Sequence, residues 1–259
     1  MRLLSESFIR IAKGEMDLIK CNVNDIVYVS GSLIEGIGNS LSDLDFYVIC
    51  DTVPNDISNP FERVDIIESK ELLIDVNYLQ RDEVEKLINL VNSATRMNSV
   101  GLLSNKQKRL IHRLLHCQVF QNSDSYNFLK ANLDFEKFKM TSIQDLELQY
   151  RDTYQDLTGN LLAKKFYTSY INCIKLLDIT IQLTNLSYGE TNPSEKWRIE
   201  KLAIINKSQL EEFWNIYSRK ISSIEDVFTI KREIDLYYST LYEKISKYLP
   251  ESRRDDRRI

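Results

Sequence analysis

Two aspartates one residue apart, Asp43 and Asp45, lead into the apolar run of the segment GSLIEGIGNSLSDLDFYVI (residues 31–49). Side chains alternate along an extended strand, so the two carboxylates share one face while Leu44 and Phe46 take the other. Their spacing along a strand is roughly 6.5 Å, at which two carboxylates can share a pair of metal ions. Without cations such a pair repels, and one member tends to keep its proton. Just upstream, the β-rich run IVYVS (26–30) passes straight into Gly31-Ser32. A small-residue turn at a strand's end lets backbone N–H groups and a hydroxyl approach phosphate oxygens with no side chain in the way. Three of the chain's seven glycines (Gly31, Gly36 and Gly38) fall in this short stretch, yet neither the GxGxxG spacing nor a GK[ST] loop is present. The segment therefore pairs a phosphate-accessible turn with metal-ligating carboxylates, outside the two common nucleotide-binding fingerprints.

The elements that must position these groups are legible from periodicity. MRLLSESFIRIAKGEMDLIK reads as an amphipathic helix without a signal peptide's apolar centre. The runs IVYVS (26–30), LDFYVIC (44–50), VDIIE (64–68) and LLIDVNYL (72–79) are rich in Val, Ile and Tyr and bounded by turn formers such as TVPNDISNP. RDEVEKLINLVNS then shows helical spacing. From about residue 104 the segments KQKRLIHRLLHCQVF, SIQDLELQYRDTYQDL, LLAKKFYTSYINCIKLLDITIQL, KSQLEEFWNIYSRKI and SIEDVFTIKREIDLYYSTLYEKISKYL all repeat apolar residues by three and four. The expected fold is α+β, a mixed sheet with flanking helices over residues 1–125 followed by an α-helical bundle over 126–250. The polar segment NSDSYN punctuates the boundary, and ESRRDDRRI (251–259) reads as a disordered tail.

Composition narrows the class. The chain has 259 residues, 43% apolar and 28% charged, enough to bury a substantial core. No stretch approaches the roughly 18 apolar residues of a membrane span, so a cytoplasmic protein is expected. Cys21, Cys50, Cys117 and Cys173 are far apart, which favours buried thiols over zinc or disulfides. Residues 1–100 carry 9 Lys+Arg against 17 Asp+Glu, a net of -8, leaving 25 against 21, or +4, for the remainder. An acidic front half repels polyanions and argues against indiscriminate nucleic-acid binding. His112 and His116 stand at i, i+4 without the intervening glutamate of a zinc helix, and read as packing residues. Lys164 and Lys165 read as a solvated helix face, and Tyr150, Tyr154, Tyr167 and Tyr170 read mostly as core.

A strand, Gly31-Ser32, and then Ser42-Asp43-Leu44-Asp45 running into a second strand resembles the signature of the polymerase-beta-type nucleotidyltransferase superfamily, in particular its small kanamycin- and aminoglycoside-nucleotidyltransferase-like members. The resemblance implies that Gly31 and Ser32 contact nucleotide phosphates and that Asp43 and Asp45 bind magnesium. Gly36 falls where many small members have a second glycine, whereas Leu33 stands where many have an arginine or another polar residue. The superfamily also uses a third carboxylate on a later strand. Asp75, a lone charge inside Leu72-Leu73-Ile74-Asp75-Val76-Asn77-Tyr78, fills that role, since an unpartnered carboxylate is costly to bury. Asp65 is the reserve and reads otherwise as an outward residue on an edge strand. More loosely, Gly189-Glu190, Pro193 and Lys196-Trp197 resemble a segment of kanamycin-nucleotidyltransferase-like proteins, which implies that Lys196 touches the triphosphate. On its residues alone, Lys196 is a surface cation and Trp197 packs the bundle.

The resemblance implies an enzyme with two Mg2+ ions at Asp43, Asp45 and Asp75. It moves a nucleoside monophosphate, AMP from ATP, onto a hydroxyl of a small-molecule acceptor and expels pyrophosphate, with a homodimer as one possible assembly. Two alternatives stay open: transfer to a protein or RNA acceptor, as in toxin or antitoxin relatives, and a non-catalytic nucleotide-binding regulator. A regulator of that kind is expected to have lost a carboxylate, and all three are present.

Overall fold

Residues 5–57, 63–69 and 72–254 are described by a computed structural model. The Val-, Ile- and Tyr-rich runs form β1 (Ile26–Ser30), β2 (Leu44–Cys50), β3 (Val64–Glu68) and β4 (Leu73–Gln80), joined by a short β5 (Gln118–Gln121). They make one five-stranded sheet in the order β3-β4-β2-β1-β5. β2 runs parallel to β4, whereas the β1–β2, β1–β5 and β3–β4 pairs are antiparallel. The sheet is therefore mixed, and β2, which carries the Asp45 motif, lies at its centre. The remainder is helical: α1 (Glu6–Gly14), α2 (Arg81–Asn92), α3 (Asn105–Leu115), α4 (Ser123–Ala131), α5 (Phe135–Leu162), α6 (Phe166–Ser187), α7 (Arg198–Ile205), α8 (Lys207–Tyr217), α9 (Ile224–Ile245) and the single turn α10 (Glu251–Arg254). Among the described residues no helix is long and apolar enough to cross a membrane.

The chain forms two compact units. The first holds the described residues up to Ser93 together with Arg109–Asp134, and the second holds Ala94–Lys108 with the described residues from Phe135 onward. In the first unit, alternation sends Val27 and Val29 of β1, Leu44, Phe46 and Val48 of β2, and Ile74, Val76 and Tyr78 of β4 into one core, which Phe8, Ile9 and Ala12 of α1 help to cover. That burial holds the strands in register and leaves Asp45 and Asp75 on the other face. The core of the second unit is built from α5, α6, α8 and α9, with Tyr150 stacked on Tyr238 at a centroid distance of 3.6 Å. Its longest helices, α5 and α6, bury residues on more than one side, as bundle-interior helices do.

Several local expectations change. The helical reading of residues 106–120 stops at Leu115, and Gln118–Gln121 pairs with β1 as an edge strand. Four residues are too few for strand periodicity to register against a preceding helix. NSDSYN opens α4 rather than interrupting helices, with Asn122 at its N-cap position in the left-handed region (φ 57°), where asparagine is tolerated. The run expected as one helix from residue 161 is broken after Leu162, where Lys164 adopts φ 55°, and resumes at Phe166. The first helix is shorter than its pattern, ending at Gly14 ahead of a single 3-10 turn at Met16–Leu18, and its residues 1–4 lie outside the described residues. Of the expected tail, Glu251–Arg254 form a turn of helix and 255–259 lie outside the described residues.

Phe46 is fully buried beneath the carboxylate face, between β1 and β4. Phe46→Ala is expected to lower folding stability by about 3–5 kcal/mol, read as a shift of the urea midpoint.

Candidate functional site

β2 and its two neighbours bring the predicted carboxylates together. Asp45 is paired in register with Ser30 at the end of antiparallel β1 and with Asp75 in parallel β4. Register partners on adjacent strands, roughly 4.8 Å apart, project to the same side, so Ser30, Asp45 and Asp75 form a row across the sheet. Asp43 sits two residues ahead of Asp45, immediately before β2. Its position is set by a turn in which Ser42 N–H donates to the Asn39 carbonyl (3.0 Å), the Asn39 N–H to Ser42 Oγ (3.0 Å) and the Leu41 N–H to Asn39 Oδ1 (2.9 Å). The serine of the Ser-Asp-Leu-Asp motif thus closes the turn that delivers the first aspartate.

Gly31 follows β1 with φ +105°, and a Cβ there would collide with the Asp45 carboxylate and lie 2.8 Å from Arg113 Nη1. Only glycine fits, both for its backbone and for the side chains packed on it. From Gly31 the chain folds back tightly: the Gly31 carbonyl accepts from Glu35 N–H (2.8 Å), and the Ser32 carbonyl accepts from both Ile37 and Gly38 (2.9 and 2.8 Å). Leu33, which breaks the expected pattern, is buried in the sheet core and packs close to Gly38. Among the described residues neither the amide nor the hydroxyl of Ser32 has a hydrogen-bond partner.

Three further residues complete the site, and the sequence reading did not place them there. Glu35, from the same loop, is buried with His112 of α3, its carboxylate 3.2 Å from His112 Nε2. Arg113, the next residue of α3, reaches both Glu35 (3.5 Å) and Asp45 (3.6 Å). α3 is held against this face by Ser30 Oγ, which donates to the His116 carbonyl at 2.6 Å. The signals were a lone glutamate inside LIEGIG and an Arg109/Arg113 pair at helical spacing, but neither shows which sheet face the helix covers. His112 is buried, as a packing residue should be, and in addition is paired with a carboxylate.

The electrostatics reflect this crowding. Burial pushes the Asp45 carboxyl up to about 6 against the pull of Arg113, and Asp75, Asp43 and Glu35 push the same way. Burial, then the charge of Asp43, raises Asp75 above the usual carboxylate range. For Arg113, burial opposes the charge, yet Tyr47, Asp45 and Glu35 outweigh it and raise its pKa. Three hard oxygen donors, two of them held above their ordinary range by burial and mutual repulsion, are the donor set that a divalent cation such as magnesium suits.

The other expected residues are Asp65 and Lys196. Asp65 is not an outward edge residue: it pairs in register with Val76 on the opposite face from Asp75, is buried, and makes an ion pair with Lys20 at 3.3 Å. An edge strand still has a core-facing side, and Lys20 supplies the partner that makes a carboxylate there tolerable. Lys196 belongs to the second unit, in a 3-10 turn (Glu195–Trp197) begun at Ser194, and is exposed with Nζ 4.7 Å from the Trp197 ring centre. In the same segment, Glu190 forms a buried pair with Lys201 at 3.2 Å.

No family model and no curated protein matches the chain. Among solved structures, a nucleotidyltransferase-like protein from Exiguobacterium sibiricum 255-15 is similar over 98% of this chain and 81% of its own, with 13% sequence identity and a TM-score of 0.48.

The raised Asp45 carboxyl makes stability depend on pH. Its protonated form is favoured by the fold, so its contribution is intact below the ordinary carboxylate value of about 3.8 and is lost as pH rises through about 6. In the presence of a chelator, stability is expected to fall by about 2–3 kcal/mol between pH 4 and pH 7 through this group. Asp45→Asn should flatten that part of the profile, measured by urea denaturation at each pH; an unchanged slope would contradict the buried, crowded setting.

Proposed function

We propose that the chain is a nucleotidyltransferase that moves a nucleoside monophosphate, AMP from ATP, onto a hydroxyl of a small-molecule acceptor. The reading rests on one observation above all: the row Ser30–Asp45–Asp75, with Asp43 beside it and the Gly31-Ser32 turn at its head. Asp43, Asp45 and Asp75 would hold two magnesium ions, which when bound offset the charge of the triphosphate and lower the pKa of the acceptor hydroxyl.

The chain's own groups do the rest. Gly31 leaves room for the Asp45 carboxylate and the Arg113 guanidinium at the strand end, and the Ser32 amide and hydroxyl donate to phosphoryl oxygens, fixed in place before the substrate arrives. Fixed donors of this kind hold the α-phosphorus in line between the acceptor oxygen and the bridging oxygen. The acceptor oxygen bonds to the α-phosphorus as the bond to the bridging oxygen breaks; pyrophosphate leaves with that electron pair. Asp75, whose raised basicity comes from burial beside Asp43, takes the acceptor's proton. Lys196 is proposed as a further contact to the triphosphate.

Incubation with ATP, Mg2+ and a panel of hydroxyl-bearing small molecules should release pyrophosphate with at least one acceptor, and calorimetry should detect binding of a non-hydrolysable ATP analogue that depends on the cation. Asp43→Asn and Asp45→Asn should each abolish transfer while circular dichroism stays unchanged, because charge is lost with little change in volume. Turnover surviving in either variant overturns the assignment. Lys196→Ala is expected to raise KM for the nucleotide several-fold with kcat near that of the parent, and an unchanged KM removes Lys196 from the site.

A further inference from the structure

The acidic end of the sheet has its own cation. Arg113 is largely buried, with only 14% of its side chain exposed, and it stands between Asp45 at 3.6 Å and Glu35 at 3.5 Å. A guanidinium carries five donors in a rigid fork, and leaving buried donors unsatisfied is costly. Here Nε and Nη1 make no hydrogen bond among the described residues. The same guanidinium lies against the Cα of Gly31, at the mouth of the turn that leads to Ser32. Its position is braced from behind: Glu35 is almost fully buried and holds both Arg113 and the fully buried His112, so the fork has little freedom to leave the site. One turn back on α3, Arg109 adds positive charge on the same side, felt at Tyr47.

An arginine placed only to neutralise Asp45 would be expected to close a bidentate pair, at about 2.8 Å, rather than stand off with donors unused. We propose that Arg113 is a triphosphate-binding residue, standing as counter-ion to Asp45 while no nucleotide is present and giving its unused donors to phosphoryl oxygens when one binds, with Glu35 and His112 as its positioning brace. The proposal rests on the nucleotidyltransferase reading and adds to it a cation held against the carboxylate row. Arg113 also fits the requirement better than a lysine would, because a planar fork can meet two phosphoryl oxygens at once.

The test compares binding of ATP and of adenosine by calorimetry in wild type, Arg113→Gln and Arg113→Lys, each checked for folding by circular dichroism and Tm. Arg113→Gln should weaken ATP about tenfold or more while adenosine affinity stays within twofold, since losing one charge-assisted pair costs that much and adenosine has no phosphate to lose. Arg113→Lys, which keeps the charge without the fork, should fall between, and it decides the matter where Arg113→Gln does not fold. A brace that served folding alone would move both ligands together or neither. ATP bound as tightly by the folded variants as by wild type overturns the assignment of Arg113 and leaves the nucleotidyltransferase reading intact. Wild type that binds no nucleoside triphosphate overturns both.

Discussion

Like charges brought close in a half-buried place are the constraint around which the first unit is organised. Asp45 and Asp75 are register neighbours on central strands, and Asp43 adds a third charge at the strand entrance. Nothing local favours that arrangement: burial and mutual repulsion push two of the three carboxyls toward protonation. It survives because the opposite face of the same strands buries Leu44, Phe46, Ile74 and Val76. Hydrophobic burial fixes the register, and the register places the acids. Stability is drawn from one side of the sheet and spent, as a site must spend it, on the other.

The loop after β1 solves a problem of space created by that arrangement. With the Asp45 carboxylate and the Arg113 guanidinium lying over the strand end, position 31 has no room for a Cβ. The tight turn that follows uses the carbonyls of Gly31 and Ser32 internally and buries Leu33 in the sheet core, so the residue after the serine serves packing. This accounts for leucine at a position where the resemblance implies a polar side chain. The Ser32 amide and hydroxyl make no hydrogen bond among the described residues, which is why the proposed phosphate contact is assigned to them.

Charge counted along the chain misstates where charge lies in space. The first hundred residues are acidic by eight and the remainder basic by four, which on the sequence alone puts the surplus of cations in the helical half. Yet Arg109–Asp134 belongs to the same unit as the sheet, and α3 brings Arg113 directly to Asp45. A helix distant in sequence by more than sixty residues thereby supplies the counter-ion, and Glu35, buried beside it, holds the guanidinium in place.

The Val-, Ile- and Tyr-rich composition of the runs at 26–30, 44–50, 64–68 and 72–79, bounded by turn formers, determined the four longer strands, because β propensity and turn chemistry are local properties. The placement of Asp43 and Asp45 on one face was likewise local. Tertiary structure alone decided that β4 runs parallel beside β2 and so sets Asp75 against Asp45, while β3 turns Asp65 toward Lys20 on the far face. It also decided that residues 118–121 complete the sheet and that Glu35, His112 and Arg113 meet behind the carboxylates. These depend on strand order and on which face a helix covers, and both are set by non-local burial that no short window of sequence contains.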